Sequence, residues 1–569
     1  MPSYPLTNKC NRYARQVVSG KIPACVYVQQ ACQRHLDDMK QMKTASFPYK
    51  FDKSKAESIL KFAEMMPHVK GKWAGGKIVL EPHQCFILGV PFGWVRKKDG
   101  LRRFREIFVL KPRKNGKSVE GAIIGNYMVS ADNEPGAEVY SAATSEAQAY
   151  EVFRPAWTMS QKEPGYRRRF GLELSGTAKN PGNIYSMHDG SRFETVVGTP
   201  GDGASPHCWI LDEFHEAKHD ESYDTGKTGM GARTQPMMVV VTTAGTNTSY
   251  PCYALQKRVE KVLAGTIADE ELFGIIYTID SDDDWTDFNI WKKANPNMGV
   301  SISEEFLRSQ HRVALQDPRK QNIIKCKHLN VWSNAGSAWM NMVEWNNCAN
   351  PDLTLDQFEG KPVYIGLDLA SKIDIAAKIY IFKDGENYSM ISRFYIPEDR
   401  TLTEDMAHYA GWAHEGYLIT TPGSRIDIED IQESIAQDAK DFDLSGSENG
   451  GGEVCNDPWN AQQLITNLTS RGVECIEIPQ TVNFLSEPMK ELEALVKSGN
   501  IVHDNNPVMN WMIGNVVCRV DLKDNVFPRK EGEENKIDGA VAMITGMSRA
   551  MYDEGITGSY TAEYGVMVL

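Results

Sequence analysis

The hydrophobic pattern of this chain changes character partway along. In the first half, short unbroken apolar runs each stop at a polar residue: Phe108–Leu110 before Lys111, Trp209–Leu211 before Asp212, Met237–Val241 before Thr242. Runs without alternation predict strands buried on both faces, the habit of a parallel sheet with helices between its strands. Leu272–Ile279 is a further strand of this kind. In the second half come Val363–Leu369, Ile375–Phe382 and Tyr388–Tyr395, the last two joined through Lys383-Asp384-Gly385-Glu386. Asp-Gly between two apolar segments predicts a tight hairpin, and so an antiparallel meander. Ser54–Met66 is amphipathic at helical spacing, and an apolar helix is expected from Asp538 to about Ala550.

These elements divide the chain. Residues 1–70 read as a helical N-terminal arm and 71–265 as a unit around the parallel sheet. Residues 266–335 read as a lid or linker subdomain, 336–354 as a linker, 355–550 as a second unit around a mixed sheet, and 551–569 as a loose tail. Ser333–Ser337 is a small-residue linker candidate, and Leu444–Gly452, LSGSENGGG, is expected to be flexible.

The polar residues that end the apolar runs carry the candidate chemistry. The first run enters KPRKNGKS, whose Gly116-Lys117-Ser118 is the working half of a phosphate-binding loop. Backbone N–H groups of Lys114, Asn115, Gly116 and the helix start face an anion. Lys117 reaches the β- and γ-phosphates of ATP, and the Ser118 hydroxyl ligates Mg²⁺. Lys111 stands where the usual first glycine would be. In WILDEFHE, Asp212 holds Mg²⁺ through water and Glu213 polarises the attacking water. Thr242 or Thr243, closing the third run, is placed to sense the γ-phosphate. Upstream, Gln84 offers a donor and an acceptor to adenine.

Three further carboxylates follow the second pattern. Asp368 ends a strand, Asp457 in CNDPW follows a short strand, and Asp538 in NKIDGA opens a helix. Each alone is better served by a turn or a helix cap. Together they would hold two Mg²⁺ or Mn²⁺ ions, which clamp the attacking and leaving oxygens of a phosphodiester in a ribonuclease-H-like nuclease. Asp374 is a candidate extra ligand or orienting group, and Lys536 a candidate contact to the scissile phosphate.

Composition limits the classes. The 569 residues are 41% hydrophobic and 24% charged, with no apolar run long enough to span a bilayer. The eleven cysteines form no C-x-x-C pair, which argues against a zinc site or disulfide frame. A net charge of −13 argues against a DNA-coating protein. It leaves room for a motor, which must release DNA at every step and needs only local basic patches such as Arg96–Lys98, Arg102–Arg105 and Arg167–Arg169.

Taken in order, KPRKNGKS, WILDEFHE, VVVTTAG, GLDLASKID, CNDPW and NKIDGA resemble the large terminase subunit of tailed double-stranded DNA phages, over nearly the whole chain. The resemblance implies an α/β architecture: an N-terminal P-loop ATPase of the ASCE type and a C-terminal ribonuclease-H-like domain. It implies ATP-driven translocation of double-stranded DNA into a procapsid and metal-dependent cutting of concatemers. It further implies portal and small-terminase partners, a homo-oligomeric ring (a pentamer), and residence in the host cytoplasm with transient docking on the procapsid. The family carries an arginine in its phosphate loop, here Arg113, as a phosphate contact or a finger in cis. Arg154 is the candidate for a finger in trans. A helicase or repair ATPase fused to a nuclease is the alternative.

Overall fold

The computed structural model describes residues 3–197, 203–248, 250–333, 339–369, 375–402, 407–458, 462–520, 525–530, 532 and 535–552. It divides into two compact units, residues 1–316 with 323–333, and residues 317–322 with 334–569. Asp374, most of the Ser333–Ser337 linker and nearly all of the tail lie outside the described residues.

The first unit is built on a sheet that has, among the described residues, eight strands. From one edge they run Leu272–Ile276, Glu106–Leu110, Met237–Thr242, Cys208–Asp212, Glu138–Ala143 and Arg192–Val197, all parallel. Pro181–Ser186 and Leu172–Gly176 add an antiparallel edge. The strand that ends in Thr242 lies between the strand leading to Lys117 and the strand ending in Asp212. That inserted strand is the mark of the ASCE class.

The N-terminal residues are helical but do not stand apart as an arm. Helices Pro5–Val18, Val26–Gln41 and Lys53–Met65 share one apolar core with the parallel sheet. Cys25 Sγ donates to the Ile276 carbonyl, and Tyr13 and Tyr277 hydroxyls meet at 3.1 Å. A sheet needs cover on both faces, and these helices supply part of it. Residues 285–329 keep a small core of their own around Trp285, Phe288, Trp291 and Leu307.

The second unit carries a mixed sheet, in order Ile419–Thr421, Asn387–Pro397, Ala376–Asp384, Tyr364–Asp368, Glu453–Asn456 and Cys475–Glu477. The strands at 364, 376 and 387 form the expected meander, with a two-residue turn at Gly385-Glu386. Those at 453 and 475 run parallel to the first. This 3-2-1-4-5 order is ribonuclease-H-like. The segment expected to be a flexible loop before Glu453 is folded down instead: a Cβ on Gly452 would stand 1.9 Å from the Val363 carbonyl oxygen, and the Ser447 hydroxyl donates to Glu453 at 2.6 Å. Its glycines permit close approach of backbones.

Candidate functional site: a phosphate loop and a set of carboxylates

The strand Glu106–Leu110 passes through Lys111–Asn115 into the helix Lys117–Ser130. Gly116 caps that helix at φ +87°, and Lys114 also sits in the left-handed region at +67°. These two reversals curl the loop so that its N–H groups and the helix start face one point. Lys117 is buried and donates to the Lys111 carbonyl at 2.9 Å, closing the loop on itself. Burial lowers its pKa, while the charges of Glu213 and Asp212 work the other way. Ser118 is half-buried one residue further into the helix.

Lys111 points inward, where an ordinary phosphate loop has no side chain. Its ammonium meets Glu120 at 2.5 Å with both side chains fully buried. Burial lowers the Lys111 pKa and raises that of Glu120, each opposed by the partner's charge. Gln84 donates to the same carboxylate at 3.2 Å, and its oxygen accepts from the Glu81 N–H in a capping box. A Cβ on Gly116 would meet Gln84 Nε2 at 3.2 Å, so Gln84 borders the loop with its amide already engaged.

Asp212 is buried at the end of its strand and accepts from the Glu213 N–H at 3.0 Å. Burial, then the Glu213 charge, raises its pKa. Glu213 adopts φ +50°. Burial opposes its ionisation, yet the hydrogen bond from His215 with the charges of Lys117 and Arg113 holds it at about 2. Thr243 Oγ1 donates to Glu213 Oε2 at 3.3 Å. Lys117, Asp212, Glu213, Thr243 and the Arg113 charge therefore converge. The Arg113 side chain is exposed, while its N–H donates to the Lys327 carbonyl. Arg154 is exposed on the helix Glu146–Lys162, its guanidinium over the Tyr150 ring.

Sequence reasoning missed two partners of the loop. Asn115 Nδ2 donates to Asn295 at 2.9 Å, and Asn297 donates through its N–H to Asn115 Oδ1 and through its amide to the Asn115 carbonyl. All three side chains are buried. This ties the loop to the subdomain cored by Trp285 and Trp291. Nothing in the spacing of Asn295-Pro296-Asn297 announces it. His215 was in plain view, three residues after Asp212.

In the second unit, register and packing relate the three aspartates. The strand Tyr364–Asp368 pairs in parallel with Glu453–Asn456, Leu367 opposite Asn456, so the next pair along is Asp368 and Asp457. Odd-numbered Val363, Ile365 and Leu367 face one core; Tyr364 faces the other. Asp368 shares the Tyr364 face, and Asp457 shares the face of Cys455, the same one.

That face is covered by the helix Asp538–Ala550. It lies so close that a Cβ on Gly366 would stand 1.9 Å from the Ala542 carbonyl. At its far end Arg549 grips Glu453, at the start of the strand, at 2.7 and 3.0 Å. The helix thus runs antiparallel to both strands. Asp538 lies about 6 Å along the helix from Ala542, and Asp368 about 6.6 Å along the strand from Gly366, toward the same end.

Asp538 is the first helical residue and Ile537 the cap, without a side-chain capping bond. Among the described residues, no three His, Cys, Asp or Glu side chains are gathered closely enough to hold one ion. The donor set itself, all carboxylate oxygen, suits Mg²⁺ or Mn²⁺. A cavity of about 400 Å³ beside Asp538 is walled by Arg529, Lys530 and Lys536.

Fold and sites together define a class: a P-loop ATPase of the ASCE type joined to a ribonuclease-H-like nuclease. Family models for the terminase large subunit match it, the ATPase domain over residues 82–188 and 192–261 and the endonuclease domain over 266–554. The chain belongs to the large terminase subunit family, an ATPase and endonuclease of phage DNA packaging, which sets the helicase alternative aside. It is 42% identical to Protein YmfN of Escherichia coli (strain K12) over 388 residues, 65% of this chain and 83% of that protein. It is 25% identical to the terminase large subunit of Enterobacteria phage HK97 over 511 residues, 87% and 96% of the two chains. The crystal structure of the HK97 large terminase covers 87% of this chain, and 99% of that chain is matched, with a TM-score of 0.43 and 24% identity. No helix among the described residues is long and apolar enough to cross a membrane.

Proposed function

We propose that this large terminase subunit hydrolyses ATP at the loop Lys114–Ser118 and cuts DNA at Asp368, Asp457 and Asp538. The observation that carries the reading is that Asp212, and Asp368 with Asp457, lie at or just past the carboxyl ends of their strands, while Lys117 and Asp538 each open a helix. When bound, a Mg²⁺ held by Ser118 and Asp212, and two Mg²⁺ or Mn²⁺ held by the three aspartates, supply charge neutralisation at phosphorus. Lys117 leaves the Lys111 carbonyl for the β- and γ-phosphates, and Arg113 adds positive charge beside them. Glu213 orients the attacking water, and Thr243 reports the γ-phosphate. Gln84 contacts adenine by exchanging one of its present partners. Asn115, through Asn295 and Asn297, passes loop movement to the lid.

In the nuclease, Arg529, Lys530 and Lys536 hold the DNA backbone beside Asp538. Double-stranded DNA is the substrate of both units. A portal protein and a small terminase subunit are the packaging partners, with the chain assembled as a pentameric ring in the host cytoplasm and Arg154 of a neighbouring copy as the trans finger.

The test is a double dissociation. Glu213→Ala is expected to stop ATP hydrolysis and spare Mn²⁺-dependent plasmid cleavage. Asp368→Ala is expected to do the reverse. Cleavage by Asp368→Ala at the wild-type rate would remove the metal assignment.

A further inference from the structure

The Glu213 carboxylate is held by more than the threonine that the γ-phosphate reading calls for. His215 Nδ1 lies 3.2 Å from Glu213 Oε2. A carboxylate only accepts, so a proton shared in this contact belongs to the imidazole. The same ring meets Thr242 Oγ1 at 3.1 Å and Thr243 Oγ1 at 3.3 and 3.4 Å, and the His215 N–H donates to Thr242 Oγ1 at 3.2 Å. His215 therefore sits at the junction of the two strand ends that carry Asp212 and Thr242. Its backbone and Cβ also press on Gly245, where an added Cβ would come within 3.3 Å of both the His215 Cβ and carbonyl oxygen.

The local backbone explains how the two side chains come to face each other. Glu213 is in the left-handed region, and Phe214–Glu216 is a single 3-10 turn. A glutamate in that region carries a conformational cost, which persists only where the surroundings over-determine it. Here the surroundings are the Thr243 hydroxyl, which donates to Glu213 Oε2, and the His215 ring, whose Nδ1 lies 3.2 Å from the same oxygen. A group that must align a water for in-line attack loses efficiency when it can swing.

We propose that His215 is a positioning residue for ATP hydrolysis, holding the Glu213 carboxylate with Thr243 in the orientation from which it polarises the attacking water. The inference rests on the reading of Glu213 as the water-orienting group. It assigns His215 no contact with nucleotide. The ring would set kcat and leave nucleotide binding alone.

The experiment uses the full chain, with steady-state ATP hydrolysis and the affinity for a fluorescent ADP analogue measured on the same preparations. His215→Ala and His215→Phe are expected to lower kcat by about 10- to 100-fold, part of the 10²–10⁴ a positioned acid or base contributes, with KM and ADP affinity near wild type. His215→Asn, whose amide nitrogen replaces Nδ1, is expected to recover most of the loss. If Phe restores turnover and Asn does not, the ring serves only packing against Gly245, and the proposal is overturned. Wild-type kcat in His215→Ala overturns it equally, as does a parallel fall in ADP affinity. Glu213→Ala in the same assay separates the two readings. If it turns over like wild type, the assignment of Glu213 fails first; if it is inactive while His215→Ala is unimpaired, only the present inference falls.

Discussion

The two proposed phosphate-handling sites of this chain are built on opposite electrostatic plans. At the proposed motor site, lysines and carboxylates face one another: Lys111 meets Glu120, and Lys117 feels the charges of Glu213 and Asp212. Each group partly satisfies its neighbour, so the folded chain arranges the site by its own hydrogen bonds. The three aspartates proposed for the nuclease carry like charge and cannot satisfy one another. The elements that carry them are brought to one end of the sheet by the scaffold: parallel register between two strands, and a helix clamped antiparallel across them by Gly366 and the Arg549–Glu453 pair. Opposite charges can pre-form a site; like charges are brought to one place by backbone and drawn together by cations.

Three experiments press on this contrast. The largest effect is expected on acidification of the first unit, whose buried polar network requires neutral histidine. Trp94 Nε1 donates to His35 Nδ1 at 3.0 Å, and His35 Nε2 donates to Asn11 at 2.8 Å. Burial, then the charges of Arg103 and Arg15, lowers its pKa to about 3. The unfolded chain binds this proton near pH 6.5 and the native state does not, so stability falls as pH drops from about 6.5 toward 3. The full loss is about 5 kcal/mol. Denaturant melts across that range should steepen with acid, and His35→Gln should flatten the slope; an unchanged slope would refute the assignment.

Next in size is the Lys111–Glu120 pair. Glu120→Ala strands a buried ammonium and should cost about 3–5 kcal/mol, whereas replacing both members by apolar residues of similar size should cost far less. Equal costs, measured by denaturant melts, would mean that the pair does not act as a unit.

The smallest effect tests the carboxylates. Mn²⁺ at about 100 times its Kd, without nucleotide, should stabilise the second unit by about 2.7 kcal/mol. Asp538→Asn should reduce that gain, and Lys117→Ala should not. A gain untouched by Asp538→Asn would place the ion elsewhere.

Much of the architecture was readable from local chemistry. Apolar runs that end abruptly at Lys111, Asp212 and Thr242 marked strand ends, because a strand buried on both faces leaves polar groups only where it emerges. The hairpin turn at Gly385-Glu386 and the helix from Asp538 were legible for the same local reason. The N-terminal helices were legible as helices but not as part of the sheet's cover, because amphipathicity shows that a face is buried and not against what. LSGSENGGG read as flexible because glycine allows both mobility and tight packing.

The chain's own order of residues was enough to mark which strand or helix end carries each candidate side chain. Tertiary structure alone decided who holds them. His215 against Glu213, Asn297 against Asn115, and the helix laid across Gly366 join positions whose pairing has no period and no motif. Local sequence sets local conformation, whereas these contacts exist only once distant segments have packed.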